Sequence, residues 1–120
     1  MVKAQISSLI DYQAQNGTWH TLVDNLTSYE EISATSAIGY ALLKGHRLGL
    51  GPESWKTADQ KALHALLSNI DSNGVVQQVS NGTRMGHDLE FYKNIPLHPT
   101  GYGQSMALLC LVEALNHINE

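Results

Sequence analysis

The residues best equipped for chemistry lie in two irregular stretches. The first, "VSNGTRMGHDLEFYKNIPLHPTGYGQ" at 79–104, is longer than the roughly 12 to 15 residues beyond which a compact domain seldom keeps a structureless loop unless the loop is functional or disordered. It carries too many rings and apolar side chains for disorder. Within it Thr83, Arg84, Met85, Gly86, His87 and Asp88 form a candidate ligand rim. The planar fork of Arg84 suits a carboxylate, which it can grip with two parallel hydrogen bonds. The competing reading is a loop fastened by its own hydrogen bonds. The second stretch, "NGTWH", offers Trp19 as a stacking face and His20 as a hydrogen-bonding imidazole; a tryptophan plugging the gap between helices is the favoured alternative.

No catalytic residue can be assigned from these elements. Asp24 and Asp88 are candidate proton donors by type, but a general acid also needs a raised pKa and reach to the protonated atom. Glu30 and Glu31 stand at a helix start, where negative charge is favoured, and capping explains them. The six histidines make no H-E-x-x-H or other close paired-ligand pattern, and His87-Asp88-x-Glu90 is isolated, so no metal is expected. Walker, G-x-S-x-G and G-x-G-x-x-G motifs are missing, and no cofactor is implied.

The whole chain sets the bounds. Its 120 residues fit one domain, and 42% apolar with 15% charged residues is a globular composition. A net charge of -4 with scattered lysines and arginines argues against nucleic acid. No apolar run approaches the roughly 18 residues needed to cross a bilayer, and the first residues do not read as a signal peptide, so a cytoplasmic location without membrane partners is the expectation. Cys110 sits in "MALLCLV" and reads as a small buried hydrophobe.

Four helices must position the candidate residues. Val2, Ile6, Leu9 and Ile10 fall at helical spacing before the stop at Asn16-Gly17. Ser28 and Glu31 make a capping-box pattern, which predicts a second helix from about 29 to 49. Its small residues Ala34, Ser36, Ala37, Gly39 and Ala41 predict packing on more than one side. Pro52 opens a third helix with an apolar stripe of Trp55, Ala62, Leu63, Leu66, Leu67 and Ile70. A short extended piece follows near 75–79. The fourth helix, 103–118, holds seven consecutive apolar residues at 106–112, which predicts burial all round. Two wet helices thus alternate with two dry ones, as in an inner ring backed by an outer ring. Four helices enclose too little interior for both dry members, so further neighbours are expected.

The order of "NGTWHTLVDN", "YEEISATSAIGYALLKGHRLG", "VSNGTRMGHDLEFYKNIP" and "PTGYGQSMALLCLVEAL" resembles the C-terminal part of the unsaturated rhamnogalacturonyl hydrolases, glycoside hydrolases of the six-hairpin (α/α) barrel type. The resemblance covers nearly the whole chain as one domain, 1–120, and about a third of such an enzyme. It implies an all-α fold: a four-helix segment, two α-hairpins of an α/α toroid, with a short extended or hairpin excursion. It also implies a sugar cleft at one end of the barrel, which Tyr102 and Gln104 would enter with the last inner helix; a tight turn at Gly101 and Gly103 is the other explanation for "GYGQ".

The family hydrates a 4,5-unsaturated galacturonyl residue with an aspartate as general acid. Neither that aspartate nor the W-x-R-G-N-G-W stretch after it has a counterpart here. The expectation is therefore a part of an unsaturated-uronyl hydrolase that is inactive alone. The alternatives are a carbohydrate-binding remnant for an acidic oligosaccharide and an oligomerising helical module. The missing hairpins would come from another chain or from copies of this one, as a twofold dimer or a closed trimer of twelve helices.

Overall fold

The computed structural model describes residues 1–118. Its element order is α1 (Val2–Asp11), α2 (Ile32–Arg47), α3 (Trp55–Ser68), α4 (Leu89–Lys93) and α5 (Gly101–Ile118). Among the described residues, extended pairing is limited to three isolated antiparallel bridges: His20 with Glu30, Ile70 with Val76, and Ser80 with Leu97.

The two inner helices are α2 and α5, which run side by side in the same direction. Both begin against residues 78–79: Ile32 N–H donates to the Gln78 carbonyl at 2.8 Å, and Gly103 lies against the Val79 side chain. Further along, Gly39 faces Cys110, and Arg47 reaches Glu113. Helix α3 returns antiparallel to α2, with Gly45 against Trp55 and Gly39 against Ala62. A Cβ on Gly39 would sit 3.2 Å from Cys110 Sγ and 3.3 Å from Ala62 Cβ, which explains the small residues in the middle of α2. It is packed on two sides, as its composition predicts.

Two apolar clusters result. One joins α2, α3 and α5 through Ile32, Leu43, Leu66, Val76, Val79, Ala107, Cys110 and Ala114. The other joins α1, α2 and α3 through Ile6, Trp19, Leu42, Trp55, Ala58 and Ala62. Burial pushes the Cys110 thiol up to about 11, so at neutral pH it is a protonated core group and not a nucleophile.

Four expectations need correction. Helix α2 starts at Ile32, not near Tyr29: the cap is Glu31, whose carboxylate accepts from Ala34 N–H, while Ser28 Oγ donates back to the Asn25 carbonyl at 2.6 Å and holds the preceding loop. Leu67 lies on the outer side of α3, 53% exposed, and the buried face is instead Trp55, Ala58, Asp59, Ala62, Ala65 and Leu66. Helix α5 begins two residues earlier and is not buried all round. Gly103, Ala107, Cys110, Glu113 and Ala114 face inward, while Leu108, Leu109, Val112 and Leu115 are exposed, because the helices of this chain pack on one side of it only. Finally, the 79–104 stretch contains a helix of its own, α4.

Polar ties close the far end of the inner helices. Asp59, fully buried, accepts from Gln60 Nε2 at 3.0 Å and pairs with His46 Nδ1 at 3.2 Å. Arg47 Nε donates to Glu113 at 2.5 Å, and this bond, with help from Asn116 and Lys44, holds the Glu113 carboxyl below its ordinary value of 4.5 despite its burial. The ion pair therefore contributes at neutral pH and is lost as pH falls through that depressed value. Glu113→Gln should cost about 1 kcal/mol at pH 7, modest because Arg47 keeps partial contact with solvent. In urea titrations that difference from wild type should shrink steadily below the ordinary value of 4.5.

Candidate functional site

The cleft lies where α2 and α5 begin. Two segments lead into it. Residues 14–20 turn from α1 toward α2, with Gly17 at φ 95° and Trp19 N–H donating to Thr35 Oγ1 at 3.0 Å. The backbone at 19–21 then pairs with 29–31: Glu31 N–H donates to the Trp19 carbonyl and Thr21 N–H to the Tyr29 carbonyl, both at 2.9 Å. Residues 78–82 come from the other side. Gln78 holds a left-handed backbone at φ 61°, unusual for a residue with a Cβ, and that kink delivers its carbonyl to Ile32 N–H.

Between these segments is a concavity of about 440 Å³. His20, Thr21, Glu31, Ser33, Ser80, Thr83 and Tyr102 line it together with the apolar Val23, Ala34 and Ile38. His20 Nδ1 bonds the Ser28 carbonyl at 2.5 Å, so that nitrogen carries the proton and the ring orientation is set. Tyr102 Oη donates to the Ser80 carbonyl and accepts from Gly82 N–H at 2.8 Å, which fixes the phenol at the rim. A larger depression of about 800 Å³ flanks α3, lined by Lys56, Gln60, Lys61 and His64, and shares none of these residues.

The structure brings together His20, Thr83 and Tyr102 from three distant parts of the chain. Arg84 lies one step away, in a neighbouring depression with Asn81, Glu90, Phe91 and Asn94 that meets the cleft at Gly82; Lys93 Nζ, 3.5 Å from Glu90, pairs that carboxylate. The other candidates fall elsewhere. Trp19 is wholly buried, and its Nε1–H donates to the Leu9 carbonyl at 2.7 Å, so the ring fills the gap between helices and offers no exposed stacking face. Gln104 spends its amide on the 74–76 turn, accepting from Val76 N–H at 2.6 Å and donating to the Gly74 carbonyl at 3.1 Å. Asp88 is the N-cap of α4, accepting from Phe91 N–H at 2.9 Å. Met85 and His87 are exposed and line neither the cleft nor the Arg84 depression.

The loop is an excursion that closes on itself. His98 N–H donates to the Val79 carbonyl and Asn81 N–H to the Pro96 carbonyl, both at 2.8 Å, so the chain leaves and returns at one point. Inside it Gly86 N–H donates to Tyr92 Oη at 3.0 Å, and Gly86 lies so close to Phe91 that a Cβ would meet the ring at 2.1 Å. The excursion is thus well fastened and still presents Thr83 to the cleft.

Glu31 was legible only as a helix-start charge. It is 5% exposed, and both of its oxygens accept hydrogen bonds: Ser33 Oγ at 2.7 and 2.9 Å, Ala34 N–H at 2.6 Å and Ser80 N–H at 3.0 Å. A general acid needs a proton aimed at its substrate. Every polar contact of this carboxylate is aimed at the protein. Among the described residues, no group of three histidine, cysteine, aspartate or glutamate side chains is placed to hold a metal ion. Among the described residues, no helix is long and apolar enough to cross a membrane.

Comparison with known proteins sets this arrangement in a lineage. The unsaturated rhamnogalacturonyl hydrolase YesR of Bacillus subtilis is 35% identical over 115 residues, which are 95% of this chain and 32% of that protein. A crystal structure described as a possible member of the GH105 family from Salmonella enterica serovar Paratyphi A superposes with a TM-score of 0.92 at 43% identity, over 96% of this chain and 30% of its own. Its counterpart from Klebsiella pneumoniae gives 0.93 at 42% identity, over 98% and 31%. The chain therefore spans about a third of the length of the relatives it matches. Its helices are a segment of an α/α toroid. The pattern of Glycosyl Hydrolase Family 88 matches residues 1–118, and the chain belongs to that family.

Proposed function

We propose that this chain forms one wall of the substrate cleft of a glycoside hydrolase acting on unsaturated uronyl oligosaccharides, and that the proton donor comes from outside these 120 residues. The single observation that carries this reading is the cleft itself. It is lined by an imidazole, hydroxyls and a phenol beside the apolar Val23, Ala34 and Ile38, a mixture that suits the polar edges and apolar face of a sugar, while its carboxylate, Glu31, is committed to protein donors. Arg84 in the adjoining depression supplies the charge for a uronate carboxylate. The YesR likeness supports the substrate class. No cofactor enters the reading.

The test has two parts. The pure chain, given the unsaturated rhamnogalacturonan disaccharide, should leave the absorbance of its conjugated uronate unchanged; turnover would place a proton donor within the chain. Ligand-observed NMR with the same disaccharide should show saturable binding at about millimolar concentration. A flat titration would remove the cleft-wall reading.

The uncovered face of α5, with Leu108, Leu109, Val112 and Leu115, favours a second reading in which the chain works as an assembly module. Its apolar residues would be covered by hairpins from another chain or by further copies of this one. Light scattering behind size exclusion decides this: a mass that stays at one chain across protein concentrations would remove self-association.

A further inference from the structure

Glu31 does more than cap α2, and we infer that it is the positioning residue that holds the cleft's two lips in register, acting through Ser80. The inference deepens the cleft-wall reading and rests on it for its ligand.

Ser80 is 8% exposed and tied on three sides. Its N–H donates to Glu31 Oε1, its Oγ shares a hydrogen bond of 2.5 Å with Tyr29 Oη, and its carbonyl accepts from Tyr102 Oη. Tyr29 and Glu31 belong to the lip that carries His20, because residues 29–31 pair with 19–21. Tyr102 belongs to α5, and its hydroxyl also accepts from Gly82 N–H, just before Thr83. Ser80 is therefore the joint between the lips, and Glu31 is the charged half of that joint. A buried N–H deprived of its acceptor is costly, so without Glu31 the 80–83 segment must move to find another partner.

Capping alone does not account for the side chain. Aspartate is among the best N-cap residues and would satisfy Ala34 N–H at this position. Glutamate's extra methylene lets the same carboxylate take Ala34 on one oxygen and Ser80, 49 residues further on, on the other. Ser33 Oγ donates to both oxygens and fixes the rotation of the group between them.

This division of labour makes the test selective. Glu31→Asp keeps the cap and cuts the tie to Ser80. Its thermal midpoint should stay within a few degrees of wild type, while the amides of Ser80 and Gly82 exchange with solvent about tenfold faster and the disaccharide binds about tenfold more weakly. Helix α3 amides, remote from the joint, should be unchanged. If Glu31→Asp fails to fold, Glu31→Ser, a good N-cap whose hydroxyl is too short to reach Ser80, is read by the same signals. Exchange at Ser80 and Gly82 equal to wild type would overturn the inference. Faster exchange with unchanged affinity would also overturn it, by leaving the tie without influence on the ligand. A wild-type chain that gives no titration overturns the cleft-wall reading instead, and the exchange rates then decide alone whether Glu31 holds this lip.

Discussion

Trp19→Ala should lower the unfolding free energy by about 3–5 kcal/mol, the range for emptying a fully buried aromatic site. The ring has no solvent exposure and stands among Ile6, Leu42, Trp55, Ala58 and Ala62, so three helices lose contact with it at once. Its Nε1–H also satisfies the Leu9 carbonyl near the end of α1. Against a total stability of about 5–15 kcal/mol for a domain of this size, the loss brings the chain near unfolding. Urea titration followed by far-UV circular dichroism measures it. Trp19→Phe separates the components: the ring volume largely stays and the Leu9 bond goes, for about 1–2 kcal/mol. A stable alanine variant that had lost only sugar affinity would show instead that the indole is a stacking face.

The second large effect is expected at Gly17. Its φ of 95° lies in a region that side chains seldom occupy, and the space is also closed: a Cβ would come within 2.1 Å of the Lys61 carbonyl oxygen and 2.5 Å of its carbon. Both atoms are α3 backbone and have no rotamer to yield. Gln13 Nε2 fastens the same corner, donating to the Gly17 and Ala58 carbonyls at 3.1 Å each. Gly17→Ala must therefore push the 14–18 turn off α3, at an expected cost of more than about 3 kcal/mol. Gly49→Ala is the control, since Gly49 has a φ of 69° but open space around it. Its cost should be about 1 kcal/mol, the conformational part alone. Equal losses at the two positions would mean that the close approach to Lys61 contributes nothing.

What could be read in advance followed from periodicity and from loop composition. In α1 the spacing of Ile6, Leu9 and Ile10 predicted a real packing face, with Val2 left exposed; the small residues of α2 did likewise, and the run at 106–112 marked a helix but not its burial. The run could not show which side this chain covers, since that depends on neighbours and not on the helix's own order of residues. Ser28 and Glu31 have the right spacing for a capping box, but Tyr29 and Glu30 are held extended by pairing with 19–21, which moves the helix start past them. Helix α4 is five residues long, too short for any periodic signal, and Asp88, read as a rim residue, is its N-cap.

The candidate site divides the same way. His20, Thr83 and Tyr102 line one cleft; His20 and Thr83 were singled out by their irregular stretches, and Tyr102 by the resemblance that put it at the start of the last inner helix. Gln104 and Asp88 have the right chemistry, but both turn to backbone N–H groups, and single-sequence reasoning does not see where a side chain points. Glu31 shows the converse. A carboxylate at a helix start is accounted for locally, so nothing in its neighbourhood announces a partner at Ser80.

The parallel course of α2 and α5 has an electrostatic consequence. Each helix behaves as a macrodipole with roughly half a positive charge at its N-terminus, and here two such ends lie side by side, offset only in part by the negative C-terminal end of the antiparallel α3. Neighbouring like poles repel, and Glu31, buried at the start of α2 with Ser80 on its other oxygen, is the local countercharge. Neutralising it would leave the poles facing each other across the seam. The field at this end of the protein would then turn more positive, and any anionic group brought to the cleft would take over part of Glu31's electrostatic role.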